Sequence, residues 1–242
     1  MALYRDTAIT YLGHSTLLIE TPGGKRLLID PWTTGNPACP QEWKSPDRLG
    51  KLDMILLTHI HNDHAGDAES LVKANPEAAV VAIYEACNWL GSKGAQHLHP
   101  MNKGGSQTVA GIEITMTHAF HSSSFLEADG TVVYGGEPAG YILKLENGFT
   151  LYAAGDTALY GDMALLRDVF APELAFLPIG DLFTMGPRQA AHAICLLGVA
   201  HVIPIHYATF PALTGTPEAL RQHTAEIANL TIHALKPGET LR

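Results

Sequence analysis

From Thr58 to Asp67 the chain reads Thr-His-Ile-His-Asn-Asp-His-Ala-Gly-Asp, placing three imidazoles and a carboxylate within the six positions from His59 to His64. Imidazole nitrogen and carboxylate oxygen are the donors that hold zinc, manganese and related divalent cations. A lone histidine is usually core or surface filler, but this density of ligand types marks a metal site. The run just before it, Leu52–Thr58, is short and apolar and reads as a buried strand that stops where the histidines begin. Ligands in the loop after a strand sit on a rigid support and face an open edge, so this motif asks for a strand-built scaffold. The spacing lets His59 and His61 converge on one cation while Asp63 and His64 turn toward a second.

This motif resembles the signature of the metallo-β-lactamase superfamily. The resemblance implies an α/β fold, a four-layered αβ/βα sandwich with the metals at one edge. It also implies three further ligands: a histidine after a later strand, a bridging aspartate after another, and a last histidine near the C-terminus. The alternating run Ile112–Thr117 leads into His118 and His121. The family pattern puts His121, which precedes Ser122 and Ser123, on the metal, with His118 as the alternative. Asp156 follows the apolar run Phe149–Ala154 in the context Ala-Gly-Asp-Thr; its plain alternative is a turn or helix-capping aspartate. His206 follows Val202–Ile205. The pattern thus implies His59, His61 and His121 on one metal, Asp63, His64 and His206 on the other, and Asp156 shared. A shared carboxylate holds two cations close and offsets part of their repulsion. The implied cofactors are two divalent ions, zinc by default, with manganese or iron fitting the same donors.

Within the superfamily the chain looks most like a branch of uncharacterised bacterial and archaeal metal-dependent hydrolases. That branch is related to the ascorbate-phosphate lactonases and the N-acyl phosphatidylethanolamine phospholipase D enzymes. The likeness rests on Tyr11-Leu-Gly-His-Ser-Thr16, Leu28-Ile-Asp-Pro-Trp32, His121-Ser-Ser123 and Pro178-Ile-Gly-Asp-Leu-Phe-Thr-Met-Gly186. Other branches would show a cysteine at Asp156, a glutamate at His61, or a long nuclease insertion.

Two cations at such a site would bring a bridging water to a pKa of about 7 and supply hydroxide without a protein nucleophile. There is no Gly-x-Ser-x-Gly elbow to support a serine hydrolase. The expected reaction is hydrolysis of a small ester, lactone or phosphodiester. Asp63 would take up a proton, and Tyr207 or His14 would donate a hydrogen bond to the developing oxyanion. His14 sits at the glycine turn Leu12-Gly-His-Ser15, either lining the site without binding metal or serving the turn. Asp30 and Asp67 read as carboxylates that orient ligand histidines, and the remaining histidines as structural or exposed. Two alternatives stand beside this reading. One is a thioesterase resembling glyoxalase II, which would need basic residues for glutathione carboxylates. The other is a non-catalytic metal-binding protein of the same fold, which could lose ligands freely.

At 242 residues the chain suits one two-sheet domain over 1–242, and 46% hydrophobic content with 23 glycines suits buried strands joined by tight turns. A net charge of −9 with only 15 Lys plus Arg argues against nucleic acid as a partner, while metal charge keeps an anionic small molecule acceptable as substrate. Three scattered cysteines exclude a disulfide framework. The opening residues lack a basic start and apolar stretch, and no run reaches membrane-spanning length, so the expected place is the cytoplasm. A homo-oligomer is compatible with all of this.

Strand-like runs cover Ala8–Glu20, Lys25–Pro31, Leu52–Thr58, Ala79–Ile83, Ile112–Thr117, Ala139–Leu145, Thr150–Ala154, Leu174–Pro178 and Val202–Ile205. Helical runs cover Asp67–Asn75, Tyr84–Gly91, Met163–Phe170, Pro187–Leu197 and Pro217–Ile227, the last with Thr216 as N-cap. The loops Trp32–Gly50 and Ser122–Glu137 are candidate flaps over the site, and Met185 a candidate pocket wall. No repeat is visible by residue identity.

Overall fold

The apolar runs pair into two large sheets in a computed structural model that describes residue 4 and residues 6–242; the opening residues read for a leader lie partly outside these. In chain order the first half forms β1 (Ala8–Tyr11), β2 (Leu17–Glu20), β3 (Arg26–Ile29), α1 (Pro46–Leu49), β4 (Met54–Leu56), α2 (Asn62–Ala65), α3 (Ala68–Ala74), β5 (Ala79–Ile83), α4 (Tyr84–Ser92) and β6 (Leu98–Met101). The second half continues with β7 (Ser106–Val109), β8 (Ile112–His118), β9 (Ser124–Leu126), β10 (Val132–Tyr134), β11 (Ala139–Lys144), β12 (Thr150–Ala153), α5 (Met163–Phe170), β13 (Leu174–Pro178), α6 (Pro187–Leu197), β14 (His201–Ile205), α7 (Pro217–His223) and β15 (Thr231–Ile232). The strand β16 (Thr240–Leu241) returns to the first sheet beside β1.

The first sheet runs β16-β1-β2-β3-β4-β5-β6 and the second β15-β14-β13-β12-β11-β8-β7, with β9 and β10 forming a separate hairpin. In the first, β16 to β3 pair antiparallel and β3 to β6 parallel. The second repeats that pattern, antiparallel from β7 to β12 and parallel from β12 to β15. Parallel strands present their carboxyl ends on one rim, where loops are free to carry chemistry. The candidate ligand loops emerge there: Asp30 after β3, His59–His64 after β4, Asp156 after β12 and His206 after β14, with His121 after β8, which runs in the same direction as β12.

Side-chain alternation explains the layering of the second sheet. Tyr141, Leu143, Leu151, Ala153, Leu174, Phe176, Ile203 and Ile205 belong to the core shared with the first sheet. Their alternates Ile142, Tyr152, Ala175, Leu177 and Val202 pack with Met163 of α5, Ala190 and Ile194 of α6 and Leu220 of α7. On the first sheet Leu71 and Val72 of α3 and Ala86, Cys87 and Leu90 of α4 are buried in the same core as the strands. The result is the four-layer α/β sandwich of the metallo-β-lactamase fold. Local chemistry closes the helices: Gln189 accepts from the Gly186 amide ahead of Pro187, and Gly198 takes the left-handed conformation that ends α6.

Several expectations need correction. The run Ala8–Glu20 is not one strand; it folds back as β1 and β2 through the turn at Gly13 and His14, both with positive φ. The helix expected to reach Ile227 stops at His223, where the Thr224 hydroxyl donates to the Leu220 carbonyl at 2.9 Å. The edge strands β6, β7, β15 and β16 and the strands of the β9–β10 hairpin are too short, at two to four residues each, to show a period. Among the described residues no helix is long and apolar enough to cross a membrane.

Candidate metal centre

Four loops meet at the rim, and backbone contacts lock them to one another. The His206 amide donates to the His14 carbonyl at 2.7 Å, joining the two sheets. The Phe120 amide donates to the Thr157 hydroxyl at 3.0 Å, tying the His121 loop to the Asp156 loop. Gly155, at φ +61°, rests against Thr58, where an added Cβ would come within 2.6 Å of the threonine side chain. Three site residues, His14, Asp30 and His206, hold positive φ of 57°, 47° and 55°. For a non-glycine residue that conformation costs about 1–2 kcal/mol, a strain that persists where the surroundings enforce a functional geometry.

The donor atoms fall into two main groups, with Asp30, His59 and His64 forming a third that overlaps them. One nitrogen each from His59, His61 and His121 lie within 4.8 Å of one another, and so do donor atoms of His14, Asp63, His64 and His206. Asp156 stands between the groups. Its Oδ2 is 3.0 Å from His206 Nε2, 3.4 Å from His64 Nε2 and 3.5 Å from His121 Nε2. Thus all seven expected ligands come together, and His121 rather than His118 stands with His59 and His61. His118 is exposed at the end of β8, where Lys103 Nζ donates to its Nδ1 at 3.2 Å.

Charges in the cluster are strongly coupled. Burial raises the Asp156 carboxyl, but His206 and His64 outweigh it and hold it well below the usual carboxylate range. Burial lowers His64, but Asp156 and Asp30 overcome that and hold the ring well above an ordinary histidine. His59 is depressed by burial and then by His64, while burial is the main cause for His61 and His121. Burial pushes His14 down to about 4, with its contact to Asp63 opposing the shift. Burial raises Asp63, but the hydrogen bond from His14 and the charge of His64 carry it below its ordinary value.

The donor set fits divalent cations. His64 Nε2, Asp156 Oδ1 and His206 Nδ1 are buried with no hydrogen-bond partner among the described residues. Each such orphan costs about 1–3 kcal/mol unless something else satisfies it. Asp30 supplies the support behind the ligands: it accepts from Thr58 N at 2.8 Å, the Thr58 hydroxyl at 2.7 Å and His64 Nδ1 at 2.9 Å.

The family model described as "Beta-lactamase superfamily domain" matches residues 25–207. The chain belongs to this superfamily. Among curated relatives, a UPF0173 metal-dependent hydrolase of Rubrobacter xylanophilus is 49% identical over 97% of this chain and 96% of its own length. One from Roseiflexus castenholzii is 50% identical over 98% of both chains. A solved structure of Igni18, a metallo hydrolase from the archaeon Ignicoccus hospitalis, is 34% identical with TM-score 0.85, covering 97% of each chain.

The superfamily rim here opens into a hollow of about 530 Å³ beside the metal centre. His61, Asn62 and Asp63 line it from the motif, Trp32 from the loop after β3, Leu126 and Val132 from the β9–β10 hairpin, and Phe210 from the loop after β14. Both expected flap loops therefore contribute. Three other expectations need correction. Asp67 orients no histidine; it accepts from the amides of Thr33 and Thr34 and anchors the Trp32 loop. Tyr207 turns away from the metal groups, stacking on Tyr11 at 6.4 Å and packing against the second core. Met185 is fully buried among α6 and the second sheet and is not among the residues that line the hollow beside the candidate metal centre. Sequence reasoning missed Thr58, Thr209 and Phe210, and also Asn62, whose position inside the ligand motif was the one signal available.

Proposed function

We propose that this chain is a dinuclear metal-dependent hydrolase that opens a small ester, lactone or phosphodiester. His59, His61 and His121 would hold one divalent cation, and Asp63, His64 and His206 the other, with Asp156 shared. The observation that carries this reading is the single Asp156 oxygen in reach of imidazoles from both groups. These nitrogen and oxygen donors suit zinc, and manganese or iron would take the same residues. Divalent cations held by these residues would supply water acidified to near neutrality and Lewis-acid polarisation of a carbonyl or phosphoryl oxygen.

The chain's own side chains supply the remainder. Asp30 accepts the Nδ1 proton of His64, so Nε2 is the nitrogen that would give up its proton and take a cation. Neutral His14 pairs with Asp63 Oδ2 through Nε2 at 3.1 Å and with the Thr209 hydroxyl through Nδ1 at 3.0 Å. With Nε2 carrying the proton, His14 is a positioning residue that steers the Asp63 carboxylate. Asp63, 31% exposed at the floor of the hollow, is placed to take a proton from attacking water and return it to the leaving group. A glutathione thioesterase would want cationic anchors, and the residues lining the hollow include no Lys or Arg.

The test is hydrolysis of a lactone and of a simple phosphodiester by protein stripped of metal and refilled with zinc or manganese. At least one substrate should be turned over only after refilling, and Asp156→Asn should lower that rate about a hundredfold or more. Tight metal binding with no turnover on any ester class would instead establish a binding protein.

A further inference from the structure

The hollow beside the metal groups has an unusual wall for a protein that would meet anionic substrates. Leu126 is 55% exposed, Val132 68% and Phe210 36%, and all three face the same space as half-buried Trp32. Singly exposed apolar side chains are ordinary, but a set that converges on one concavity marks a binding surface. The polar lining comes from His61 and Asp63 of the candidate metal centre, from Asn62 between them, and from Ser124, which begins the hairpin. Its walls bring no positive charge to hold a phosphate or carboxylate away from the metals.

The walls are also built to stay in place. Trp32 is clamped between two glycines: a Cβ on Gly35 would come within 2.7 Å of its indole nitrogen, and one on Gly66 within 2.8 Å of its ring. The opposite wall is stapled to the ligand motif. Asn62 Nδ2 donates to the Leu126 carbonyl at 2.9 Å, and the Leu126 amide donates back to Asn62 Oδ1 at 2.9 Å. The side-chain amide between His61 and Asp63 therefore acts as one more rung for β9. Gly135, at the far end of the hairpin, leaves no room for a Cβ against Ile60 of the same motif. Phe210 completes the enclosure, 5.9 Å from Trp32 and 5.6 Å from His14 between ring centroids.

We propose that this hollow is a subsite for the apolar, uncharged part of the substrate, so that the preferred substrate is a neutral ester or lactone carrying an alkyl or aryl group. The proposal rests on the hydrolase reading for the reaction, but the subsite itself is testable without turnover. Asn62 is its positioning residue, because it sets the hairpin wall at a fixed place relative to His61 and Asp63.

The probe is a series of methyl ketones from butanone to octanone, which resemble the acyl half of an ester and cannot be hydrolysed. Binding is read by tryptophan fluorescence, with Trp32→Phe expected to abolish the response. Each added methylene should tighten binding by about fourfold until the hollow is filled. Val132→Glu, at an exposed position that tolerates charge, should flatten that series, and a chain ending in a carboxylate should bind worse than its neutral analogue. The same ladder in nitrophenyl ester turnover should rise in parallel. A rising ketone series without turnover would keep the subsite and remove the hydrolase reading. Turnover with a flat ketone series, or with preference for the carboxylate-ended chain, would overturn the subsite. So would a protein that self-associates through the hairpin and becomes monomeric with Val132→Glu while binding no ketone.

Discussion

Asp30→Asn tests the support behind the metal groups with least disturbance to shape. Asparagine tolerates the left-handed conformation found at φ 47°, whereas alanine would add backbone strain and a cavity. The native carboxylate accepts three hydrogen bonds, from Thr58 N, the Thr58 hydroxyl and His64 Nδ1. An amide keeps one accepting oxygen, which suits Thr58 N, and turns an NH2 toward the other two donors. The threonine hydroxyl can rotate to accept. The imidazole can accept only by moving its proton from Nδ1 to Nε2, the nitrogen that faces Asp156 and would bind a cation. The protein then loses a charge-assisted hydrogen bond of about 1.5–3 kcal/mol or holds the wrong tautomer. Either way metal affinity should fall about tenfold to a hundredfold, as is typical when a histidine ligand loses its carboxylate partner. Competition titration of the refilled protein against a chromophoric chelator measures this directly. A variant that matches the wild-type affinity within twofold, with circular dichroism unchanged, would refute the claim that Asp30 sets the His64 tautomer.

Other consequences are simpler to state. Asp156 and Asp30 hold His64 well above its ordinary pKa in the metal-free protein, so that ring is protonated at neutral pH. Metal loading at pH 7 should therefore release about one proton from it, read as a buffer-dependent heat in titration calorimetry; heats independent of buffer ionisation would contradict this. Tyr207→Phe should leave turnover within about twofold, because the phenol faces Tyr11 rather than the metal groups; a loss above tenfold in kcat would bring it back into the mechanism. Gly66→Ala should lower stability by about 1–3 kcal/mol, because the new Cβ would press on both the Asn62 carbonyl and the Trp32 ring, seen as a lower midpoint in urea. An unchanged midpoint would show that the turn after α2 and the loop after β3 give way freely.

The candidate ligands are legible because each one sits at the end of a buried apolar strand, and that combination is visible without coordinates. His59 to His64 declared themselves by density, while His121, Asp156 and His206 needed the family pattern to single them out among thirteen histidines and many aspartates. Tyr207 misled because adjacency in sequence to His206 says nothing about direction. Consecutive residues at a strand end point opposite ways, and His206 took the side facing the metals. Asp67 misled for a similar reason: a carboxylate near a motif can serve any amide in reach, and here the Thr33 and Thr34 amides were nearer. Thr209 and Phe210 had no local signature, since their roles come from where the loop after β14 crosses the rim. The hairpin reads as a loop because its strands are only three residues long, and its place is set by the Asn62 side chain together with Phe125 and Val133, which pack against the main core.

The shared sequence of pairings in the two sheets has a bearing on how the protein acquires metal during synthesis. His14, Asp30 and the ligand motif come from the first sheet, while His121, Asp156 and His206 come from the second, so neither group of donors is complete within one half. On the proposed ligand set, the emerging chain would meet metal first with His59, His61, Asp63 and His64, a local chelate whose neighbours are still missing. Its remaining donors arrive only after most of the polypeptide has been made and the second sheet has docked, by long-range contacts that form slowly. Metal captured early would hold a half-built molecule open to competing ligands, whereas metal captured late would act as a brace across the finished seam. Under that ligand set, docking of the second sheet would be the step at which the centre becomes complete.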